Sequence, residues 1–195
     1  MCRAALGLVS YVSRQTAYNR ATGTDTFKGN VATQWGVCNE GVALDAYAKY
    51  MEYVVQPVGL VQHPTLEWLA GSPDGLVGED GLVEVKCPYW QMKKGPHQEV
   101  PDHYYIQMQV QLQCTQREWC DYVCYCGLHG MSILHVTRDD ALFEFLMPHL
   151  REMATCIVRR KGSFKALKNR VVKNRVNSSL VQHTTVVLKK GIPFF

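Results

Sequence analysis

No stretch of about 18 consecutive apolar residues occurs in this chain, so no segment reads as a membrane-spanning helix. The first residues, Met1-Cys2-Arg3-Ala4-Ala5-Leu6-Gly7, are too short in their apolar part for a secretory signal. No internal repeat is visible. Acidic residues are missing from the last 39 positions: 157–195 hold ten Lys or Arg and no Asp or Glu. The first 156 residues carry eleven basic and seventeen acidic groups, so the overall +4 hides an acidic body joined to a basic tail. A basic face favours phosphate binding; a solvated extension without a specific partner is the alternative. We divide the chain accordingly into a domain over 1–156 and a basic extension over 157–195 with no assigned fold.

Metal-finger spacing is lacking too. Cys120, Cys124 and Cys126 do not form a ribbon or finger pattern, and the seven histidines show no ligand spacing. The setting Trp119-Cys120-Asp121-Tyr122-Val123-Cys124-Tyr125-Cys126 reads as a buried strand. The eight cysteines are read as reduced thiols in a reducing intracellular compartment, the cytoplasm or nucleus of a host. The length of 195 residues fits one domain, with enough chain for a packed core.

What is present centres on Ser72-Pro73-Asp74-Gly75, followed by Glu84-Val85-Lys86. Apolar pairs Leu76-Val77 and Leu82-Val83 flank Gly78-Glu79-Asp80-Gly81, where the Asp-Gly inside the turn signals a hairpin. Folding back there brings Asp74 towards Glu84. Alternation along a strand then puts Glu84 and Lys86 on one face, with Val83 and Val85 on the other. Two neighbouring carboxylates repel, and a hard divalent cation relieves that repulsion through their oxygens. Such a cation polarises a phosphate and acidifies a bound water, and the lysine orients that water or stabilises charge on the phosphate. On spacing alone, an exposed acidic hairpin with an incidental Glu-x-Lys is the alternative.

The remaining pattern is coarser. A loop is expected over Gly23–Asn30, and a helix from Gly36 to about Tyr53 with Val42, Ala43, Ala46, Tyr47 and Tyr50 on its apolar side. Val54–Val61 is a short β-branched stretch, limited by Pro57 to an edge or a break. Tyr89–Asp102 reads as a polar loop near nucleic acid. Over Tyr104–Cys114, apolar residues alternate with Gln107, Gln109, Gln111 and Gln113, which by period is a strand. The glutamine, methionine and leucine content favours a helix. Paired strands are expected over Trp119–Cys126 and Met131–Val136. A helix capped by Asp139 or Asp140 is expected to run through Ala141, Phe143, Phe145 and Leu146, with a kink at Pro148. Thr184–Leu188 is a β-like run inside the tail.

Three segments carry a family resemblance: Gly71-Ser72-Pro73-Asp74-Gly75-Leu76-Val77, Gly81-Leu82-Val83-Glu84-Val85-Lys86-Cys87-Pro88 and Tyr104-Tyr105-Ile106-Gln107-Met108-Gln109. In this order they resemble the YqaJ-type viral recombinases, the lambda-exonuclease-like members of the PD-(D/E)xK nuclease superfamily. The similarity runs from about Ala4 to Thr155. It implies an α/β fold with a restriction-endonuclease-like core, a central mixed β-sheet flanked by helices, and makes Tyr104–Cys114 a helix. It implies a magnesium-dependent exonuclease, with manganese as a second metal, that digests one strand of linear duplex DNA from its 5′ end for recombination or viral DNA processing. It also implies a ring-shaped homotrimer in some members and a single-strand annealing partner. By the same resemblance Asp74, Glu84, the Val85 carbonyl and Glu40 hold metal, Lys86 is the catalytic lysine, and Gln107 positions the water or Lys86.

The match fails at two places. In related nucleases an arginine ahead of the Ala-Leu-Gly segment grips the 5′ phosphate. Met1 falls just after that point, and Arg3 does not match it cleanly. Either the chain starts late or another base grips, with Arg14, Lys28 and Lys94 as candidates; Lys93 and Tyr104 complete the expected DNA contacts. The basic tail is the second departure. Two rival functions follow: a DNA-binding remnant without catalysis, and an endonuclease of the same superfamily.

Overall fold

The β-branched and aromatic runs collect into one six-stranded sheet, which fixes everything that follows. The computed structural model describes residues 13–26, 28–160 and 178–184. Its strands are β1 (Val55–Gln56), β2 (Val61–Gln62), β3 (Ala70–Gly71), β4 (Gly75–Val77), β5 (Gly81–Lys86), β6 (Trp119–Tyr125), β7 (Met131–Thr137) and β8 (Val181–Thr184). The large sheet runs β1-β4-β5-β6-β7-β8, while β2 and β3 form a separate pair. Only β5 and β6 are parallel; the other pairings are antiparallel. Among the described residues the α-helices are α1 (Arg14–Ala21), α2 (Val31–Met51), α3 (Asp102–Thr115) and α4 (Asp140–Arg159). The parallel pair needs a crossover, and α3 supplies it.

Helices cover both faces, as the sequence predicts for the restriction-endonuclease-like core. On one face, Ala43, Ala46 and Tyr47 of α2 pack on Val83, Val85, Val123 and Ile133. On the other, α3 and α4 pack on Leu82, Tyr122 and Leu134 through Ile106, Leu112, Leu142 and Leu146. Among the described residues no helix is long and apolar enough to cross a membrane.

Several boundaries differ from expectation for identifiable reasons. Helix α2 starts at Val31, five residues before Gly36, because the Asn30 side chain accepts from Thr33 N–H at 2.9 Å and caps it. Val42 and Tyr50 are exposed, at 45% and 48%, so the buried side of α2 is narrower than predicted. In the hairpin, the left-handed residue is Gly78 (φ 54°), not Gly81. Gly81 opens β5 under the Trp119 ring, where a Cβ would lie 2.1 Å from Cζ2. The Asp139 side chain caps α4 through Leu142 N–H at 2.9 Å, and the helix passes through Pro148 to Arg159. It therefore crosses the 156/157 division. Residues 181–184, on the extension side of that division, pair with β7 as β8. Of the expected run Thr184–Leu188, only Thr184 is in β8; 185–188 lie outside the described residues, as does the segment before Ser13.

Tyr104–Cys114 is helical. The helix buries Tyr105, Ile106, Met108 and Val110 together with Gln109 and Gln111, so it has no solvent stripe from which a helical period could be read. Gln109 is satisfied by backbone: its Nε2 donates to Thr137 O at 2.9 Å and its Oε1 accepts from Asp139 N–H at 2.7 Å. These contacts lock α3 to the start of α4.

A second buried acid braces the sheet on the α2 side. Asp121 is 2% exposed and accepts from Tyr47 Oη at 2.7 Å, with His135 Nδ1 at 2.8 Å on its other oxygen. Tyr47→Phe removes one partner and leaves a buried carboxylate under-satisfied. The expected loss is about 1–3 kcal/mol of unfolding free energy, read from the urea midpoint at constant slope.

Candidate active site

The Ser-Pro-Asp-Gly segment connects β3 to β4, and close backbone approaches explain both of its flanking glycines. A Cβ on Gly71 would lie 3.1 Å from Gln111 Cα, so Gly71 lets β3 press against α3. A Cβ on Gly75 would lie 2.3 Å from Val55 Cγ1, so Gly75 lets edge strand β1 close over β4. Between them Asp74 is fastened to β5 twice: its N–H donates to Val83 O at 3.1 Å, and its Oδ2 accepts from Val85 N–H at 2.6 Å. Antiparallel pairing, Gly75 opposite Val83, sets this register.

Glu84 stands one residue further along β5 and is 1% exposed. Three side chains meet its carboxylate. Lys86 Nζ and Gln107 Nε2 both donate to Oε1, the latter at 2.5 Å, and Gln111 Nε2 donates to Oε2 at 2.7 Å. Gln111 Nε2 also reaches Ser72 O at 2.9 Å, tying the Ser-Pro-Asp-Gly segment to the same carboxylate. Lys86 Nζ also donates to Val85 O at 2.9 Å and lies 5.4 Å from the centroid of the Tyr104 ring. Tyr104 stacks on Tyr122 at 5.6 Å, and Tyr122 Oη pairs with His97 Nδ1 at 2.7 Å.

The electrostatics follow from burial. Asp74 is pushed up from the ordinary carboxylate range, first by burial and then by the charge of Glu84; Lys86 and the Val85 N–H oppose the shift, and Glu40 adds to it. For Lys86, burial favours the neutral amine, but Glu84 and Asp74 outweigh it and the net shift is upward. Lys86 stays an ammonium among carboxylates.

The structure brings Asp74, Glu84, Val85, Lys86 and Gln107 together. Glu40 stands apart: it is exposed on α2, and its charge is felt at Asp74 and Cys87 without a hydrogen bond to either among the described residues. Of the expected DNA contacts, Lys28, Lys93 and Lys94 are exposed and Tyr104 packs beneath Lys86. Arg14 is turned inward, 5% exposed, with Nη2 on Glu152 Oε2 at 3.0 Å, so its guanidinium braces α1 on α4 instead of facing solvent. Arg3 lies outside the described residues. Gln111 was missed by reasoning from sequence. Its signal is the spacing Gln107–Gln111, four apart, which on a helix places both amides over one partner.

The donor set fits a hard divalent cation. The ammonium of Lys86 already binds Glu84 Oε1 and Val85 O, two of the oxygens the resemblance assigns to metal, and Asp74 is a half-buried carboxylate whose charged form is disfavoured first by desolvation and then by Glu84. Gln111 Oε1 is buried with no protein partner, one further acceptor in the same wall. Among the described residues, no three His, Cys, Asp or Glu side chains gather closely enough to hold a metal by themselves. Two carboxylates, Asp74 and Glu84, and the Val85 carbonyl face this place, and the exposed Glu40 acts on it through its charge at Asp74.

The profile of the YqaJ-like viral recombinase domain matches residues 2–118 of the chain. The chain belongs to this family. A solved alkaline exonuclease from Laribacter hongkongensis, LHK-Exo, is 31% identical, with a TM-score of 0.68 over 89% of this chain and 90% of that one. LHK-Exo in complex with dAMP aligns at 34% identity and TM-score 0.67 over 82% of this chain and 89% of that one. A phage-related exonuclease from Haemophilus somnus shares the fold at 17% identity, with a TM-score of 0.52 over 74% of this chain and 76% of that one. None of the curated proteins compared matches the chain. Family membership and the exonuclease relatives make this YqaJ-like protein a nuclease.

The upward shift of Asp74 predicts a pH dependence in metal-free protein. Its folded-state pKa lies above the unfolded value of 3.8, so the folded protein holds a proton that the unfolded chain has released. Stability contributed by this group is therefore lost as pH rises through that window. Asp74→Asn, which mimics the protonated form, is expected to stabilise the metal-free fold more at pH 8 than at pH 4. Urea midpoints across this range in EDTA check it, and a gain that shrinks with rising pH contradicts it.

Proposed function

We propose that this YqaJ-like nuclease is a divalent-metal-dependent deoxyribonuclease, an exonuclease that hydrolyses phosphodiester bonds of linear duplex DNA from the 5′ end. The reading rests on Glu84, whose buried carboxylate is gripped by Lys86, Gln107 and Gln111 beside Asp74. That one of its relatives, LHK-Exo, is an alkaline exonuclease and has been solved in complex with dAMP supports a nucleotide ligand for this chain too.

Asp74, Glu84 and the Val85 carbonyl would hold magnesium or manganese, with Glu40 closing the side towards α2. The metal supplies Lewis-acid polarisation of the phosphate and a water acidified towards neutral pH. The protein does the rest. Gln107 and Gln111 hold Glu84 in one rotamer, so its charge is aimed before substrate arrives. Asp74 keeps its orientation through the Val85 N–H. The Lys86 ammonium stays charged at neutral pH, within reach of the phosphate oxygens on which negative charge grows. Tyr104 supports Lys86 from below and limits where its Nζ can go.

Digestion of a linear duplex labelled at one 5′ end, with and without a 5′ phosphate and with and without magnesium, tests the reading. Nucleotide release only with magnesium is expected, and nicking of closed circular plasmid would instead indicate an endonuclease. Asp74→Ala is expected to abolish activity and Lys86→Met to lower it by about 10²–10³-fold, as for loss of one charge-stabilising group. A readout independent of turnover is thermal stability. Magnesium at 100 times its dissociation constant should stabilise the wild type by about 2.7 kcal/mol and leave Asp74→Ala unmoved. An equal rise in both proteins would remove Asp74 from the metal site.

A further inference from the structure

The segment leaving Lys86 carries two adjacent aromatic residues, Tyr89 and the exposed Trp90, that the site above does not use. Cys87 is buried, and Tyr89–Gln91 then form a single 3₁₀ turn. Trp35 of α2 meets Tyr89 edge-on (centroids 6.1 Å, 65°), and Tyr89 meets Trp90 edge-on (4.9 Å, 84°). Trp90 is 81% exposed, so most of its indole is open to water. Exposed Lys93 and Lys94 follow within one turn, and Lys94 N–H donates to Gln91 O at 2.9 Å. No acidic residue occurs from Cys87 to Gln98. The far end of the segment is fastened by His97, stacked on Tyr122 (6.1 Å, 6°) and bonded to its hydroxyl. Trp90 is four residues from Lys86, so their Cα atoms are at most about 14 Å apart.

We infer that Trp90 is a stacking platform for a base of single-stranded DNA at the active site, with Lys93 and Lys94 holding the adjoining phosphates. The inference rests on the nuclease reading for its ligand. A single exposed apolar residue needs no explanation by itself. Here the indole is braced by a second aromatic ring, bordered by two ammonium groups and placed beside a phosphodiester-cleaving site, and the charge selects a polyanion. Stacking suits an enzyme that must accept every base, because each has a π-face and no base edge is read.

The test uses the full chain and a labelled oligo-dT of twelve nucleotides, in EDTA, followed by anisotropy. Trp90→Ala should weaken binding by about 5- to 100-fold, and Trp90→Phe should recover most of it. On an abasic strand of the same length, wild type and Trp90→Ala should bind alike, while Lys93→Ala/Lys94→Ala should be weaker on both strands with a shallower salt dependence. Unaltered oligo-dT binding, or an equal loss on the abasic strand, overturns the inference. So does a change in sedimentation on substitution, which would make Trp90 a contact between copies of the chain. A wild type without nuclease activity whose oligo-dT binding still depends on Trp90 would overturn the catalytic reading and leave the platform standing.

Discussion

Burying an ionised carboxylate costs several kcal/mol unless charge and hydrogen bonds compensate. Glu84 is 1% exposed in the middle of the sheet, so its surroundings are not free to vary. Its compensation comes from two directions. Lys86 arrives by strand alternation, two residues on along β5, and supplies the charge. Gln107 and Gln111 arrive from α3, one turn apart, and supply neutral donors to the two oxygens. Because α3 is also the crossover between the parallel strands β5 and β6, the same helix that makes the topology possible carries the amides that make the buried acid tolerable. A shift of α3 by one residue would swing both amides away from Glu84 and put Met108 and Leu112 over a charge.

The Ser-Pro-Asp-Gly segment is shaped by this constraint. Gly71 lets β3 approach α3 closely enough for Gln111 to bond Ser72 O and Glu84 with one nitrogen. Asp74 then hangs from the Val85 N–H, on the residue between Glu84 and Lys86. Two carboxylates end up beside each other because the backbone holds them there. Burial and then their repulsion push Asp74 upward, and the Lys86 ammonium lies between Glu84 and the Val85 carbonyl. The site is a region of concentrated negative potential with one built-in cation, a state that a second, divalent cation lowers further.

What could be read from sequence was what depends on local spacing. The Asp74–Glu84–Lys86 grouping follows from a hairpin and a period of two, and both are short-range. Glu40 and Gln107 are placed only by resemblance, and they reach the site differently: Gln107 bonds Glu84, while Glu40 acts from α2 through its charge at Asp74. Arg14, one of the three candidate phosphate-gripping bases, is turned inward on Glu152, a partner 138 residues away that nothing near it in sequence announces. The start of α2 was legible in Asn30, a capping residue, but was passed over for the apolar pattern further on. Tyr104–Cys114 was open for a deeper reason. Amphipathic period reports one wet face, and a helix wedged between a sheet, a second helix and the β2–β3 pair has none.

Gln111 shows what rule would have closed that gap. Read as a strand, the segment puts all four glutamines on one face, and four amides facing solvent ask for no partners. Read as a helix, it separates them into Gln107 with Gln111 and Gln109 with Gln113, on different sides. An amide N–H that such a helix buries needs an acceptor, since each orphan costs about 1–3 kcal/mol. Each pair must therefore meet something polar in the core. The first pair needs an acceptor on the facing strand, and Glu84 is the only acid in β5. The second finds the start of α4, with Gln109 on the Thr137 carbonyl and the Asp139 N–H and Gln113 on the Asp140 side chain. Satisfying buried polar groups, rather than matching apolar periods, decides between the two readings and names the partner of Glu84 at the same time.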